Sequence, residues 1–233
     1  MFLSKPSVEL PKITAPTAAE ICAQSKPSPE GKALLKPEMT PGQYQQALEK
    51  NKLPVDSVHF LAHGLPQKDG VCWACKSSRM VMMKLSGPEM DALKSAEAWL
   101  KSPSVGAQGT LTAALGKVDF TGPGGWAAQG ALWAAKPAPV VPGMPSVALV
   151  AMSVAGAILL AAGLRVGAPM PATPQPKLQL PMVPLTPAML LQMQGPQLTA
   201  AAAPTLVQPP LMKMLLPFIQ LGKGVATGSV TCA

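Results

Sequence analysis

The chain has 233 residues, including 28 Pro and 20 Gly, with 48% hydrophobic and only 4% aromatic residues and a formal net charge of +8. That apolar content excludes a chain disordered through charge, and the scarcity of aromatics excludes a large aromatic core. Four Cys are too few for a disulfide scaffold, and the length predicts one domain with tails.

The composition is uneven. Residues 1–41 hold seven Pro, five Lys and four Glu; residues 42–136 hold five Pro, ten basic and seven acidic residues; residues 137–233 hold sixteen Pro, four basic residues and no acid. The pattern predicts a Pro-rich N-terminal arm (1–40), a helical domain (41–136), a Pro-rich linker (137–146), an apolar helix (147–165) and a Pro/Met-rich apolar arm (166–233). Pro6, Pro11 and Pro16 predict an extended start, because proline fixes φ and lacks an N–H. No apolar run of signal-peptide length occurs there. Thr17 with Glu20 predicts a capping box on a short helix to Gln24, after which Lys26-Pro27-Ser28-Pro29 reads as loop.

In the central segment, Thr40-Pro41-Gly42-Gln43 opens a helix to about Lys52 that Pro54 ends, with Tyr44, Ala47 and Leu48 on one face. Val55 to Gly64 sets Val58, Leu61, Ala62 and Leu65 at helical spacing. A third helix fits Lys68 to about Leu85, with Val71, Ala74, Cys75, Ser78, Met82 and Leu85 inward. Ser86-Gly87-Pro88-Glu89 starts a helix to Lys101, Val105 to about Lys117 gives another, and Pro123-Gly124-Gly125 leads into Trp126–Ala135. The expected fold is all-α: a small helical bundle of five or six short helices with extended Pro-rich N- and C-terminal arms.

Val147–Leu164 carries no charge, the lower limit of length for a membrane span. It is rich in Ala and Gly, which contribute little to insertion, and Ser153, Ala157 and Ala161 form a stripe suited to close packing in membrane or in protein. A helix buried against protein is the first expectation and a single membrane-spanning helix the alternative. From Pro169 prolines recur among Leu180, Met182, Val183, Leu185, Met189, Leu190 and Met193. Proline blocks long helices, and apolar side chains without a core to enter mark an interaction surface. These residues, with Leu211, Met214 and Phe218 from the short stretches that follow, are the predicted partner-binding set. Thr199–Ala203 and Leu211–Leu221 are predicted short helices, the second kinked at Pro217 and broken by Gly222-Lys223-Gly224. Cys232 reads as a lone thiol on a fraying end.

His59, His63, Cys72 and Cys75 form the one cluster of metal-ligand type, spaced H-x3-H-x8-C-x2-C. The expectation is no metal: both pairs read as helix interior, no βαβ pattern supports a redox C-x-x-C, and free Cys often packs as a small hydrophobe. No nucleophile elbow, phosphate-binding loop or H-E-x-x-H motif occurs, so no enzyme and no cofactor is predicted. Thr121 to Gly125 reads as a hinge between helices, and Glu89, Asp91 and Glu97 as first-turn or solvated carboxylates. The positive charge is spread thinly, without a Lys/Arg cluster or stacking aromatics, so no nucleic-acid partner is expected.

The blocks TPGQYQQAL, SVHFLAHGLPQKDGVCWACKSSR, LKSAEAWLKSPS, GPGGWAAQGALWA and VAGAILLAAGL, between Pro41 and Leu164, resemble a bacterial family of unknown function associated with type VI secretion gene clusters. Its most distinctive block is matched by Phe60-Leu61-Ala62-His63 with Trp73-Ala74-Cys75. The sequence departs from that pattern at Cys72, where the family has an aromatic, which counts against a metal site using both cysteines. The resemblance implies a non-enzymatic adaptor or chaperone-like accessory protein whose partner is a secretion spike, adaptor or effector protein. The expected location is cytoplasmic, with membrane association through Val147–Leu164 or secretion with the spike as alternatives. A small zinc-binding protein is the remaining alternative.

Overall fold

A computed structural model describes residues 9–135, 146–166 and 211–232. Among these residues there are ten α-helices, one short 3-10 turn at Met82–Lys84 and no strand. The helices are α1 (Ala18–Ser25), α2 (Pro29–Leu34), α3 (Pro41–Lys50), α4 (Pro54–Gly64), α5 (Gln67–Arg79), α6 (Gly87–Lys101), α7 (Val105–Leu115), α8 (Pro123–Ala135), α9 (Ser146–Val166) and α10 (Leu211–Thr227).

Local chemistry sets most of the helix starts. The Thr40 hydroxyl accepts from the Gln43 N–H while the Gln43 side chain accepts from the Thr40 N–H, closing the expected capping box. Ser86 and Ser104 cap α6 and α7 with one bond each, accepting from the Glu89 and Ala107 N–H. Ser28 caps α2 by accepting from the Gly31 N–H, so the Ser-Pro pair that reads as loop is a helix start, with Pro29 at the first position. Thr17 does not cap α1; its hydroxyl donates to Glu20 instead.

The core is organised around α9, which packs against α4, α5, α8 and α10. Gly130 of α8 faces Ser153 and Gly70 of α5 faces Val154 across these contacts. Ser153, Ala157 and Ala161, the predicted packing stripe, are all buried. Val147–Arg165 is long and apolar enough to cross a membrane by length and composition, yet 67% of it is buried inside the protein. Its packing matches the first of the two expectations for this helix, burial against protein.

Three expectations are corrected, two of them about the arms. The N-terminal arm is not extended over residues 9–40. It forms the expected short helix, α1, and also α2, and it puts Leu10, Ile13, Ile21 and Cys22 into the core. Asp56 of α4 fastens it by accepting from the Ser28 N–H at 3.0 Å and the Ser28 hydroxyl at 2.5 Å, and Tyr44 donates to the Gly31 carbonyl. The C-terminal helix is neither broken at Gly222 nor part of a free arm. α10 runs through Pro217 and Gly222 to Thr227 and buries Leu215, Phe218, Ile219 and Val225. Each such side chain contributes about 2 kcal/mol of apolar burial. Finally, the third predicted helix stops at Arg79, so Met82 lies exposed on the 3-10 turn and not inward. Residues 137–145 of the predicted linker, residues 167–210 of the predicted C-terminal arm and the Thr199–Ala203 helix lie outside the described residues, while Ser146 already belongs to α9.

Candidate functional site

The most chemically distinctive place in the molecule is built on α5. Cys72 is joined to Cys232 by a disulfide with a Cα–Cα distance of 5.8 Å, across a sequence separation of 160. The reading of Cys232 as a lone fraying thiol is therefore wrong: the end of the chain is stitched to the middle of the bundle. Spacing carries no signal for this pairing, because connectivity does not follow from the positions of four cysteines. Cys75, one turn further along α5, stays a free, fully buried thiol, and burial pushes its pKa up. The three sulfur-bearing residues line a cavity of about 230 Å³ together with Lys76, Glu97 and Lys101. Glu97 is held there by Arg79, whose Nε and Nη2 donate to its two oxygens at 2.7 and 2.5 Å. Glu97 is thus a paired carboxylate and not simply a solvated one.

The four ligand-type residues do not assemble. Cys72 is consumed by the disulfide, and no group of three or more His, Cys, Asp or Glu that could hold a metal exists among the described residues. His59 and His63 do share a face of α4. Burial lowers both pKa values, and His63, with His59 beside it, falls to about 4. The buried Nδ1 of His63 has no partner.

Glu89 lies in the first turn of α6, as expected, but it is not solvated. It sits at the third position of α6 and is 1% exposed. Its Oε1 accepts from the Gly122 N–H at 3.2 Å and its Oε2 from the Gly125 N–H at 2.6 Å. Burial raises its pKa against those backbone hydrogen bonds. The glycines are required by contact: a Cβ on Gly124 would stand 2.3 Å from the Glu89 carbonyl oxygen, and one on Gly125 2.4 Å from Val118. The supposed hinge is a clamp that locks the start of α8 to the start of α6, with a carboxylate at the positive end of the α8 dipole. Asp91, by contrast, is exposed as expected.

The predicted partner-binding residues divide. Leu180, Met182, Val183, Leu185, Met189, Leu190 and Met193 lie outside the described residues. Phe218 is completely buried in the protein's own core, where its carbonyl accepts from Trp73 Nε1 at 2.9 Å; it offers nothing to a partner. Met214 is half-buried and Leu211 is 49% exposed. Exposed apolar side chains flank the last turn of α9. Met80, Met82 and Met83 are exposed, Met83 to 89%, and Lys84 of their turn donates to the Leu164 carbonyl. Arg165 stacks over the Phe218 ring at 5.9 Å, which sets the first half of α10, with Leu211 and Leu216 exposed, beside the same turn.

The chain belongs to DUF6931, a family of unknown function, whose model matches residues 44–175. The match takes in α3 to α9 and so the Glu89 clamp, the histidine pair and the C-x-x-C of α5, but not α10 or Cys232. No curated protein matches the chain. No solved structure matches it either.

Proposed function

We propose that the protein is a non-enzymatic accessory protein, adaptor or chaperone-like, that binds a spike-tip, adaptor or effector protein of a type VI secretion apparatus. The observation that carries the binding role is the distribution of apolar side chains around the end of α9. Met80, Met82, Met83, Leu211 and Leu216 are exposed on the elements that flank it. The sequence 167–210, which joins α9 to α10, is rich in Leu, Met and Pro and contains no acid. Methionine is unbranched and adapts to differing contours, which suits a surface that must fit another protein, and clustered apolar exposure marks interaction sites. The secretion apparatus as the setting rests on the sequence resemblance. Within that setting, the Cys72–Cys232 bond favours travel with the spike over a purely cytoplasmic life, because disulfides persist in oxidising compartments.

The test is co-purification from the native host of tagged full-length chain, of a variant with residues 167–210 replaced by a Gly/Ser linker, and of Met82→Ser with Met83→Ser. The full-length chain is expected to bring down a spike, adaptor or effector protein, and both variants to lose it. Capture that is equal for all three contradicts the binding surface. A partner unrelated to secretion contradicts the setting.

A further inference from the structure

We propose that the Cys72–Cys232 disulfide is a reducible latch, one that holds the last residues of the chain over the buried Cys75 thiol and opens without undocking α10. Three observations meet here. First, the bond and the free thiol share one cavity, in which Cys232 is half-buried while Cys72 and Cys75 are 3% and 2% exposed. The outermost sulfur carrier therefore belongs to the tail, and the protected ones to α5.

Second, α10 does not depend on the bond for its place. Leu215, Phe218, Ile219 and Val225 are fully buried, Lys223 pairs with Glu49 at 3.0 Å, and the Lys12 N–H donates to the Ala226 carbonyl at 3.1 Å. Beyond the helix the chain turns at Gly228, whose φ of 77° suits glycine. Apart from the bond, the segment after Gly228 is held by the Val230 N–H and the Ser229 hydroxyl, both donating to the Gly224 carbonyl at 2.9 and 3.1 Å, by the Thr227–Ser229 hydroxyl contact and by Val230 and Cys232 packed on the core, with no helix of its own. Losing the bond frees the segment after Gly228 and leaves the helix docked.

Third, the cavity suits the reagent that would open it. Thiolates, not thiols, attack disulfides, and Lys76 and Lys101 line the approach, with Glu97 already neutralised by Arg79. The co-reactant is a dithiol reductant. Its thiolate attacks Cys232 Sγ, forming a mixed disulfide, and Cys72 departs as a thiolate that takes up a proton. The second thiol of the reductant then displaces Cys232, which leaves as a thiol, and the reductant ends as its own disulfide. Two electrons and two protons pass to the protein. A disulfide-class oxidant reverses the sequence, so the latch closes in an oxidising compartment and opens in a reducing one. Opening converts Cys72 and Cys75 from a cross-linked and a hidden sulfur into a reachable pair of thiols.

The experiment uses the full-length chain after treatment with oxidised glutathione and again after dithiothreitol, both without denaturant. Each state receives a pulse of N-ethylmaleimide, and each cysteine is mapped by peptide mass spectrometry. In the oxidised state the Cys72–Cys232 peptide is recovered cross-linked and Cys75 is unlabelled. After reduction Cys232 and Cys72 label, Cys75 labels at least about tenfold faster because access has changed, and Cys22 stays unlabelled. Cys232→Ser should show the fast Cys75 rate with no reductant present. Absence of the cross-link after oxidation, failure of dithiothreitol to cleave it, or an unchanged Cys75 rate in the reduced protein and in Cys232→Ser would each overturn the latch. So would Cys22 labelling in step with Cys75, since that signals opening of the whole bundle.

Discussion

α9 and α10 are both apolar helices without an acid, and they are used in opposite ways. α9 is rich in Ala, Gly, Ser and Val, with four Leu and one Ile among them, and it lies at the centre, packed against α4, α5, α8 and α10. α10 carries large side chains on one face and lies across the outside of α4, α5 and α9, with Leu211 and Leu216 left in solvent. Small side chains permit burial on several sides at short axial distance; large ones on one stripe produce a cover. Gly222 shows the difference within one position. It interrupts no helix. It makes room for the Trp73 ring, to which a Cβ would come within 2.5 Å.

Substitutions that act on one helix and not the other test this division. The largest effect is expected from Trp73→Ala, which removes both the ring that α10 covers and the hydrogen bond to the Phe218 carbonyl. A buried Trp to Ala change costs about 3–5 kcal/mol, so thermal melting should fall by about 10 °C. Equal protection of α10 amides in the variant would show that the helix is held elsewhere. Next comes a matched pair. Gly222→Ala drives a methyl into a rigid buried ring and is expected to cost about 2 kcal/mol. Gly156→Ala on α9 meets Trp126 at 3.5 Å, an ordinary contact. It should therefore gain the helix propensity of Ala, about 0.5–1 kcal/mol. Denaturant melts that move both variants the same way would erase the contrast.

The smallest effect concerns pH. His63 lies on α4, against which both helices pack, and its folded pKa of about 4 is below the value it has unfolded. The unfolded chain takes up the proton first, so the stabilisation is complete above about pH 6.5 and is lost as pH falls toward 4. Glu89, raised by burial, acts in the opposite sense: its contribution is complete at low pH and is lost as pH rises through its folded pKa. Melts from pH 7 to 4.5 should show a shallower decline for His63→Gln than for the parent. Parallel curves would mean that His63 does not titrate with folding.

Much of the helical layout was legible because the caps are local. Thr40 with Gln43, Ser86 before Glu89, and Pro41 at a first position each act within one turn. The stripe Ser153, Ala157 and Ala161 was legible as a packing face, though not its host, since protein and membrane accept the same small residues. What escaped was non-local. Cys232 meets Cys72 across 160 residues, Glu89 meets the glycines 33 and 36 residues on, and Gly222 answers Trp73. Proline counts misled at both ends. Pro29 starts a helix, and Pro217 sits inside one whose buried face holds it in place.

The central claim is that α10 folds back onto the bundle as part of the core. Native-state hydrogen exchange on the full-length chain addresses it most directly. Amides of residues 218–226 should exchange as slowly as those of α5, because both open only when the shared Trp73 core opens. Exchange of those amides at the rate of an unstructured chain, while α5 stays protected, would contradict it.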